Sequence, residues 1–242
     1  MGEQVRWARL LGEGVVIVLS ILLAFIVDAW WDGRQERALE QQYIIRLVSE
    51  VDGHRDRASF LATFQERIRD NALLTYDLLA SRDLESVDAF EALKRAYDAT
   101  RTLTPDFTVD VYRELLATGN LRLFEDQAVR SRVTSYYESL DAPPQFEMAS
   151  LEYRDLVRGI IPPRTKLVIR ACRGRASAEV CDWQISGSEA RSILRRLAAA
   201  PGVLEGASHV VEQWDRGASY LEGVASLSAE VSDFLSRSMA EH

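Results

Sequence analysis

Two kinds of hydrophobic pattern divide this chain. Near the N-terminus, the segment Gly14–Val27 is apolar apart from the hydroxyl of Ser20. From Arg34 onward, apolar residues recur at steps of three, four or seven, which is typical of a helix buried along one face. This stripe comprises Leu47, Val51, Ala58, Leu61, Phe64, Ile68, Ala72 and Leu79. The pattern predicts one long helix from the apolar segment to about Ser81, and Gly53 is where it would bend.

The remaining sequence predicts shorter helices separated by proline and glycine. An irregular stretch, residues 166–188, interrupts them, and its first residues are compatible with a brief strand. The predicted fold class is all-α: an N-terminal transmembrane helix continues into a long helix, and a multi-helix bundle follows. The predicted short helices cover Asp83–Thr100, Thr104–Gly119 with Pro105 in the first turn, Glu125–Leu140, Pro143–Ile161, Ser186–Ala199 and Val203–Ser238.

The apolar segment is interpreted as a membrane anchor. Gly14–Val27 rises about 21 Å as a helix, short of a hydrocarbon core of roughly 30 Å. The flanks lengthen it to Leu10–Trp31, and the pair Trp30 and Trp31 would sit at headgroup level. Two alternatives stay open. The segment also fits a cleaved signal peptide, with Ala29 in a small-residue cleavage site, or a buried core helix.

Charges beside the segment predict its orientation. Arg6 and Arg9 precede it, whereas acidic residues outnumber basic ones in the stretch after Asp28. The positive-inside rule therefore places residues 1–12 in the cytoplasm, residues 13–31 in the membrane and residues 32–242 in the periplasm. The expected location is a bacterial inner membrane crossed once.

Composition excludes several function classes. The chain has 242 residues, 47% of them apolar and 27% charged, so it can bury a core. Its net charge of −8 argues against nucleic-acid binding, which needs a basic face. Two cysteines are too few for a zinc cluster or a disulfide-dense scaffold. No cofactor is expected. The expected partners are the lipid bilayer and either a membrane protein or a second copy of the chain.

Cys172 and Cys181 offer an independent indication of compartment. They flank a short stretch containing glycine and serine, and in an oxidising compartment they would pair and close a loop. Such a bridge stabilises by roughly 2–3 kcal/mol. The alternative is two unrelated reduced thiols.

Glu13 and Asp28 are the acids that border the predicted span. Carboxylates at membrane depth are costly and often functional, so an ion or proton relay is one hypothesis. The simpler interpretation is that both acids mark the ends of a short span.

A basic run surrounds Cys172. It could meet an anionic ligand, lipid headgroups or an acidic partner, or it could be a solvated loop face. The run consists of Arg164, Lys166, Arg170, Arg173 and Arg175.

No catalytic pattern is present. His54, His209 and His242 do not stand at the spacing of metal ligands or of a base and its nucleophile, and no phosphate-binding or dinucleotide fingerprint occurs. The prediction is therefore a protein that is not an enzyme.

Two stretches nevertheless resemble a known group. They are the anchor with its following helix, GEGVVIVLSILLAFIVDAWWDGRQERALEQQYIIRLVSEV, and FTVDVYRELLATGNLRLFEDQAVRSRVTSYYESL. Both resemble an uncharacterised family of bacterial single-span helical proteins of about this length. The resemblance implies an anchored helical protein and no site. The motif positions are Tyr112, Leu115, Thr118, Gly119, Asn120, Leu121, Tyr136 and Tyr137.

The expected function is that of a membrane-anchored periplasmic helical protein, acting as a binding or scaffold subunit of an inner-membrane complex. One alternative is an extracytoplasmic ligand-sensing bundle. The other is an ion-coupled single-span subunit that uses Glu13 or Asp28.

Overall fold

The structure, a computed structural model, describes residues 2–140, 147–172 and 185–240. Side-chain surroundings are described from residue 18, and from residue 151 after the first gap. Within these ranges all regular structure is helical, which confirms the all-α class with a long N-terminal helix and a bundle. The helices are α1 Gly2–Ser81, α2 Ala89–Asp98, α3 Asp110–Thr118, a 3-10 turn Asn120–Leu123, α4 Gln127–Leu140, α5 Glu147–Ile160, α6 Pro163–Ala171, α7 Gly187–Ala199 and α8 Val203–Ala240.

Helix ends follow the local chemistry that the sequence indicates. Helix α1 ends at Ser81 as predicted. Gly119 adopts φ 70° and closes α3, a backbone conformation that costs glycine little. Ser186 caps α7, because its Oγ accepts the backbone N–H of Glu189 at 3.2 Å. Gly202, with φ 82°, separates α7 from α8. These predictions are confirmed.

Three local predictions are wrong. The first turn of α2 is capped by Asp88, so the helix begins later than Asp83. Pro105 does not start a helix: residues 101–109 have no regular secondary structure and α3 begins at Asp110. The irregular stretch begins with a helix rather than a strand, because Pro163 occupies the first turn of α6, where its missing N–H costs nothing. The predicted helix start at Pro143 lies outside the described residues.

The chain divides into two compact units. Unit 1 consists of residues 1–50, 109–135 and 231–242, and unit 2 of residues 51–108 and 136–230. The buried residues of unit 1 come from α1, α3, the 3-10 turn with the residue after it, α4 and α8: Tyr43, Ile44, Leu47, Val111, Leu115, Leu123, Phe124, Val129, Val133, Val231 and Leu235.

Unit 2 has the larger core. In this unit α2 lies against α5, α6 and α7. Its core extends from the second half of α1 to Trp214 of α8 and includes the fully buried ring of Tyr153. One arginine and one lysine donate to carbonyls at the end of α5, which have no helical partner. Lys166 donates to the carbonyl of Arg158 at 2.8 Å, and Arg196 donates to that of Ile160 at 2.9 Å.

The predicted membrane anchor corresponds to the N-terminal part of α1. Over the residues with described side chains, none of the helices combines enough length with enough apolar character to cross a membrane. The described apolar run, Val18–Val27, rises only about 15 Å before Asp28. The transmembrane assignment of residues 13–31 is therefore not supported over this part, and residues 13–17 lie outside it.

Two glycines of unit 2 give a matched stability test. A Cβ at Gly53 would meet nothing within 4 Å, so Gly53→Ala is expected to stabilise α1 by about 0.5–1 kcal/mol. A Cβ at Gly217 would lie 2.3 Å from Oε1 of the buried Gln65, so Gly217→Ala is expected to destabilise by about 1–3 kcal/mol. Urea unfolding of both variants measures the contrast. Equal stability of the two variants would contradict the close packing of α1 against α8 in this unit.

Candidate functional site

Among the described side chains, a long run of exposed apolar residues forms a band on α1, residues 18–31. Leu23, Phe25 and Ile26 are 62%, 66% and 65% exposed, although they are among the most apolar side chains of the chain. The exposure extends around the whole helix rather than along one stripe, because every residue from Val18 to Trp31 is exposed. A helix that is apolar on all sides requires an apolar surrounding. We call this segment the apolar band.

The predicted interface residues lie at one end of the apolar band. Trp30 and Trp31 are exposed, and their ring centroids are 6.4 Å apart. The guanidinium of Arg34 lies 5.9 Å from the centroid of the Trp30 ring, within the range of a cation–π contact. Asp28 is exposed beside them. The surroundings of Glu13 lie outside the described side chains, so its predicted role stays a prediction.

The predicted anion patch is only partly described. Arg164 and Arg170 are exposed on α6, on either side of Leu167, which is 60% exposed. Lys166 turns instead to the end of α5, where it donates to a carbonyl. Arg173 and Arg175 lie outside the described residues. The structure therefore places two of the five cations on the exposed face of α6 and gives a third a structural contact.

The predicted disulfide is also only partly described. Cys172 ends α6, where its N–H donates to the carbonyl of Val168 at 3.0 Å. Cys181 lies outside the described residues, so the pairing stays a prediction.

The turn after α3 is held in unit 1 by a polar network. Glu114 accepts from the hydroxyl of Tyr43 at 2.9 Å and from both terminal nitrogens of Arg46. The amide of Asn120 donates to the same hydroxyl at 3.0 Å. The network ties α1 to Glu114 in α3 and to Asn120, the residue after Gly119. It gives the motif Thr118-Gly119-Asn120 a structural role.

The start of α3 is stabilised by a residue from another helix. Val109 has no side-chain cap to offer, and the carboxylate of Glu50 accepts the backbone N–H of Val111 at 2.9 Å. An anion at a helix N-terminus satisfies an N–H that has no helical partner and opposes the positive end of the helix dipole. Glu50 thus fixes where α3 begins.

Acid is expected to weaken the Glu114 network. Hydrogen bonds from Arg46 and Tyr43 lower the pKa of Glu114 below its ordinary value of 4.5. A lowered carboxyl pKa adds stability above the unfolded-state value, and this contribution is lost as the pH falls through the folded-state value. The stability difference between the wild type and Glu114→Gln should therefore shrink as the pH falls below 4.5. Unfolding midpoints measured against pH test this, with Glu222→Gln as the exposed control. A difference that does not change with pH would contradict the network.

Unit 2 contains a buried chain of hydrogen bonds centred on His54. The side chain of His54 is 3% exposed. Its Nε2–H donates to the carbonyl of Thr108, and its Nδ1 lies 2.8 Å from the hydroxyl of Tyr136. That hydroxyl lies 2.8 Å from Oγ of Ser228, which is 2.7 Å from the carbonyl of Val224. We call this the His54 chain.

Aromatic rings enclose the imidazole in the same unit. The Tyr136 ring stacks on it with centroids 5.9 Å apart, and the rings of Phe107 and Tyr137 approach it edge-on at 5.5 and 6.0 Å. These contacts also explain why residues 101–109 do not form a helix. The ring of Phe107 and the carbonyl of Thr108 are held against His54 of α1.

The hydrogen bonds of the His54 chain can run in either direction with the same heavy-atom positions. When His54 is neutral, Nε2 carries the hydrogen, so Nδ1 accepts from Tyr136 and Tyr136 accepts from Ser228. When His54 is protonated, Nδ1–H donates to Tyr136, Tyr136 donates to Ser228, and Ser228 donates to Val224. Both arrangements satisfy every member, and they differ only in the rotation of two hydroxyl groups.

Sequence reasoning treated His54 as an isolated histidine. The adjacent tyrosines Tyr136 and Tyr137, both buried in the structure, are the one sequence signal that points to this cluster. His209 is exposed on α8, and His242 lies outside the described residues. Among the residues that the structure describes, no group of three or more potential ligands is placed to hold a metal ion.

Comparisons with protein-family models, curated proteins and solved structures found no match to this chain. The fold and the sites therefore have to be interpreted from their own chemistry.

Proposed function

We propose that this chain is a membrane-anchored helical protein, without enzymatic activity, that serves as a binding or scaffold subunit of an inner-membrane complex. The observation that carries the proposal is the exposure of the apolar band on all sides of α1. In water, so large a contiguous apolar surface is unfavourable and tends to associate. Insertion of the band into lipid, with residues 1–12 in the cytoplasm and residues 32–242 in the periplasm, removes this cost.

The residues at the end of the band support a lipid interface there. Tryptophan rings favour the headgroup region because they are apolar with one polar N–H. An arginine beside them can extend its charged end toward water or phosphate while its stem stays in the apolar layer. Trp30, Trp31 and Arg34 have this arrangement. The family resemblance, which implies a single-span anchor, agrees with it.

The scaffold role rests on the helical part of the chain. Its described helices have packed cores, and the polar clusters there hold elements together: the Glu114 network fixes a turn and the His54 chain is closed within the interior. In both clusters the polar side chains are engaged by one another. A role through binding therefore fits these residues better than a reaction does. The alternative of an ion-coupled subunit that uses Glu13 or Asp28 stays a hypothesis. It predicts that Glu13→Gln abolishes activity in cells.

The proposal is tested by purifying the intact tagged chain in mild detergent and identifying what accompanies it by mass spectrometry. A membrane partner in a constant molar ratio supports the subunit role. A single-span protein with the same tag and another periplasmic domain is the control for carry-over. Recovery of the chain alone, as a monomer or as a homo-oligomer, would contradict the subunit role.

The proposed periplasmic location also predicts a disulfide bridge between Cys172 and Cys181. Peptide mapping of the chain from intact cells, after blocking free thiols and without reduction, tests the bridge. A linked peptide supports the periplasmic location. Two blocked thiols would contradict it.

A further inference from the structure

An open groove in unit 2 lies between the last turns of α1 and the first turns of α2. Its volume is about 590 Å³. Apolar side chains of both helices and of the intervening loop line it, including Leu74, Leu78 and Val87. Leu74 is 48% exposed, so an apolar contact is available at the surface. We call this cavity the α1–α2 groove.

The charges around the groove are unbalanced. Asp77 and Asp83 line it, and neither forms an ion pair with any of the described residues. Asp88 also lines it, and one of its carboxylate oxygens caps α2 by accepting two backbone N–H groups. Glu91 is partly compensated by Lys94, 3.4 Å away, and Arg95 is a cation that also lines the groove. The groove therefore combines an apolar wall with an excess of carboxylates over cations.

Elsewhere in unit 2, the chain compensates acids that lie between helices. Glu85 accepts from Arg195 at 2.8 Å and pairs with Arg191 at 3.3 Å. Asp215 of α8 pairs with Arg69 of α1 at 3.0 Å. Arginines are plentiful in this sequence. Their contacts elsewhere contrast with the uncompensated Asp77 and Asp83 in the groove.

We infer that the α1–α2 groove is a docking site for a basic segment of a partner protein, one in which lysine or arginine alternates with apolar side chains. The apolar side chains would contact Leu74, Leu78 and Val87, and the cations would approach Asp77 and Asp83. Charge complementarity selects this occupant, because an acidic or neutral apolar segment would leave both carboxylates without a partner. The inference rests on the proposed binding function and names the chemistry of the partner, but it does not depend on the membrane anchor.

The test measures the binding of a labelled leucine–lysine peptide to the full chain in detergent by fluorescence anisotropy. The double variant Asp77→Asn/Asp83→Asn should weaken binding by about tenfold, as expected for two exposed charge contacts. Leu74→Ser should weaken it by a similar factor, through the apolar contact. The matched control, Glu222→Gln/Asp233→Asn, removes two exposed carboxylates elsewhere and should leave binding unchanged.

Three further probes make the outcome decisive. Replacing each lysine of the peptide by glutamate should abolish binding, and replacing each leucine by serine should weaken it. The inference is overturned if the groove variants bind as tightly as the wild type, or if the glutamate peptide binds equally well. It is also overturned if spermidine, which has no apolar side chains, binds with the same affinity and the same dependence on Asp77 and Asp83. Flotation of the double variant with vesicles reports separately on the anchor, so either proposal can fail alone.

Discussion

Replacing Ile21 and Phe25 by aspartate is expected to release the chain from membranes. Both side chains lie in the apolar band and are at least half exposed. A carboxylate at the centre of a membrane helix costs about 2.5–3.5 kcal/mol, so two such charges oppose insertion by about 5 kcal/mol or more. The folded helical part should be unaffected, because neither side chain is buried in its cores. Fractionation of cells after an alkaline carbonate wash measures the shift from pellet to supernatant.

The control for this prediction uses exposed apolar residues beyond the band. Ile45 and Leu74 are 58% and 48% exposed on the same helix, and Ile45→Asp/Leu74→Asp adds the same charge. This control should stay in the membrane pellet. If both double variants fractionate alike, or if Ile21→Asp/Phe25→Asp remains membrane-bound, the apolar band is not what holds the chain at the membrane.

Removing one hydroxyl from the His54 chain is expected to cost about 1–3 kcal/mol of unfolding free energy. Tyr136→Phe keeps the ring that stacks on His54 but removes the oxygen that lies between Nδ1 and Ser228. The imidazole nitrogen is then buried without this partner, and a buried polar group that loses its hydrogen bond cannot recover it from water. Urea unfolding of the full chain in detergent measures the loss.

Tyr220→Phe is the matched control for the loss of a phenol group. Tyr220 belongs to the same unit and is only half-buried, and no hydrogen bond of its hydroxyl occurs among the described residues. The unfolding free energy of Tyr220→Phe should stay within about 0.5 kcal/mol of the wild-type value. A double-mutant cycle of Tyr136→Phe with Ser228→Ala should also be non-additive, because the two residues share one link. Additive effects, or a Tyr136→Phe variant as stable as Tyr220→Phe, would contradict the hydrogen bonds of the His54 chain.

Much of the fold could be predicted from local patterns. The stripe from Leu47 to Leu79 predicted α1 and its end at Ser81, and Gly119 and Ser186 predicted an end and a start that the structure confirms. These features depend on residues a few positions apart, which is why a single sequence carries them. Where local signals gave a wrong prediction, contacts between residues distant in sequence determine the local conformation. Thr104-Pro105-Asp106 resembles a helix start, but the contacts of Phe107 and Thr108 with His54 hold the segment in a non-helical conformation.

The sites were harder to predict for the same reason. His54 and Tyr136 are separated by 82 positions, and Tyr136 and Ser228 by 92. No spacing rule links residues on three helices before the helices are packed. The α1–α2 groove depends likewise on how α2 lies against the end of α1. The apolar band could be predicted, because its property belongs to one continuous segment.

The most direct test of the central claim, that the apolar band lies in lipid, is site-specific photo-crosslinking in vesicles. A photoreactive side chain replaces Leu23 in one sample and Ile45 in another, two positions with similar exposure of 62% and 58%. We expect position 23 to crosslink to lipid acyl chains and position 45 to remain without lipid adducts. Equal labelling at the two positions, or no lipid adduct at position 23, would contradict the anchored arrangement.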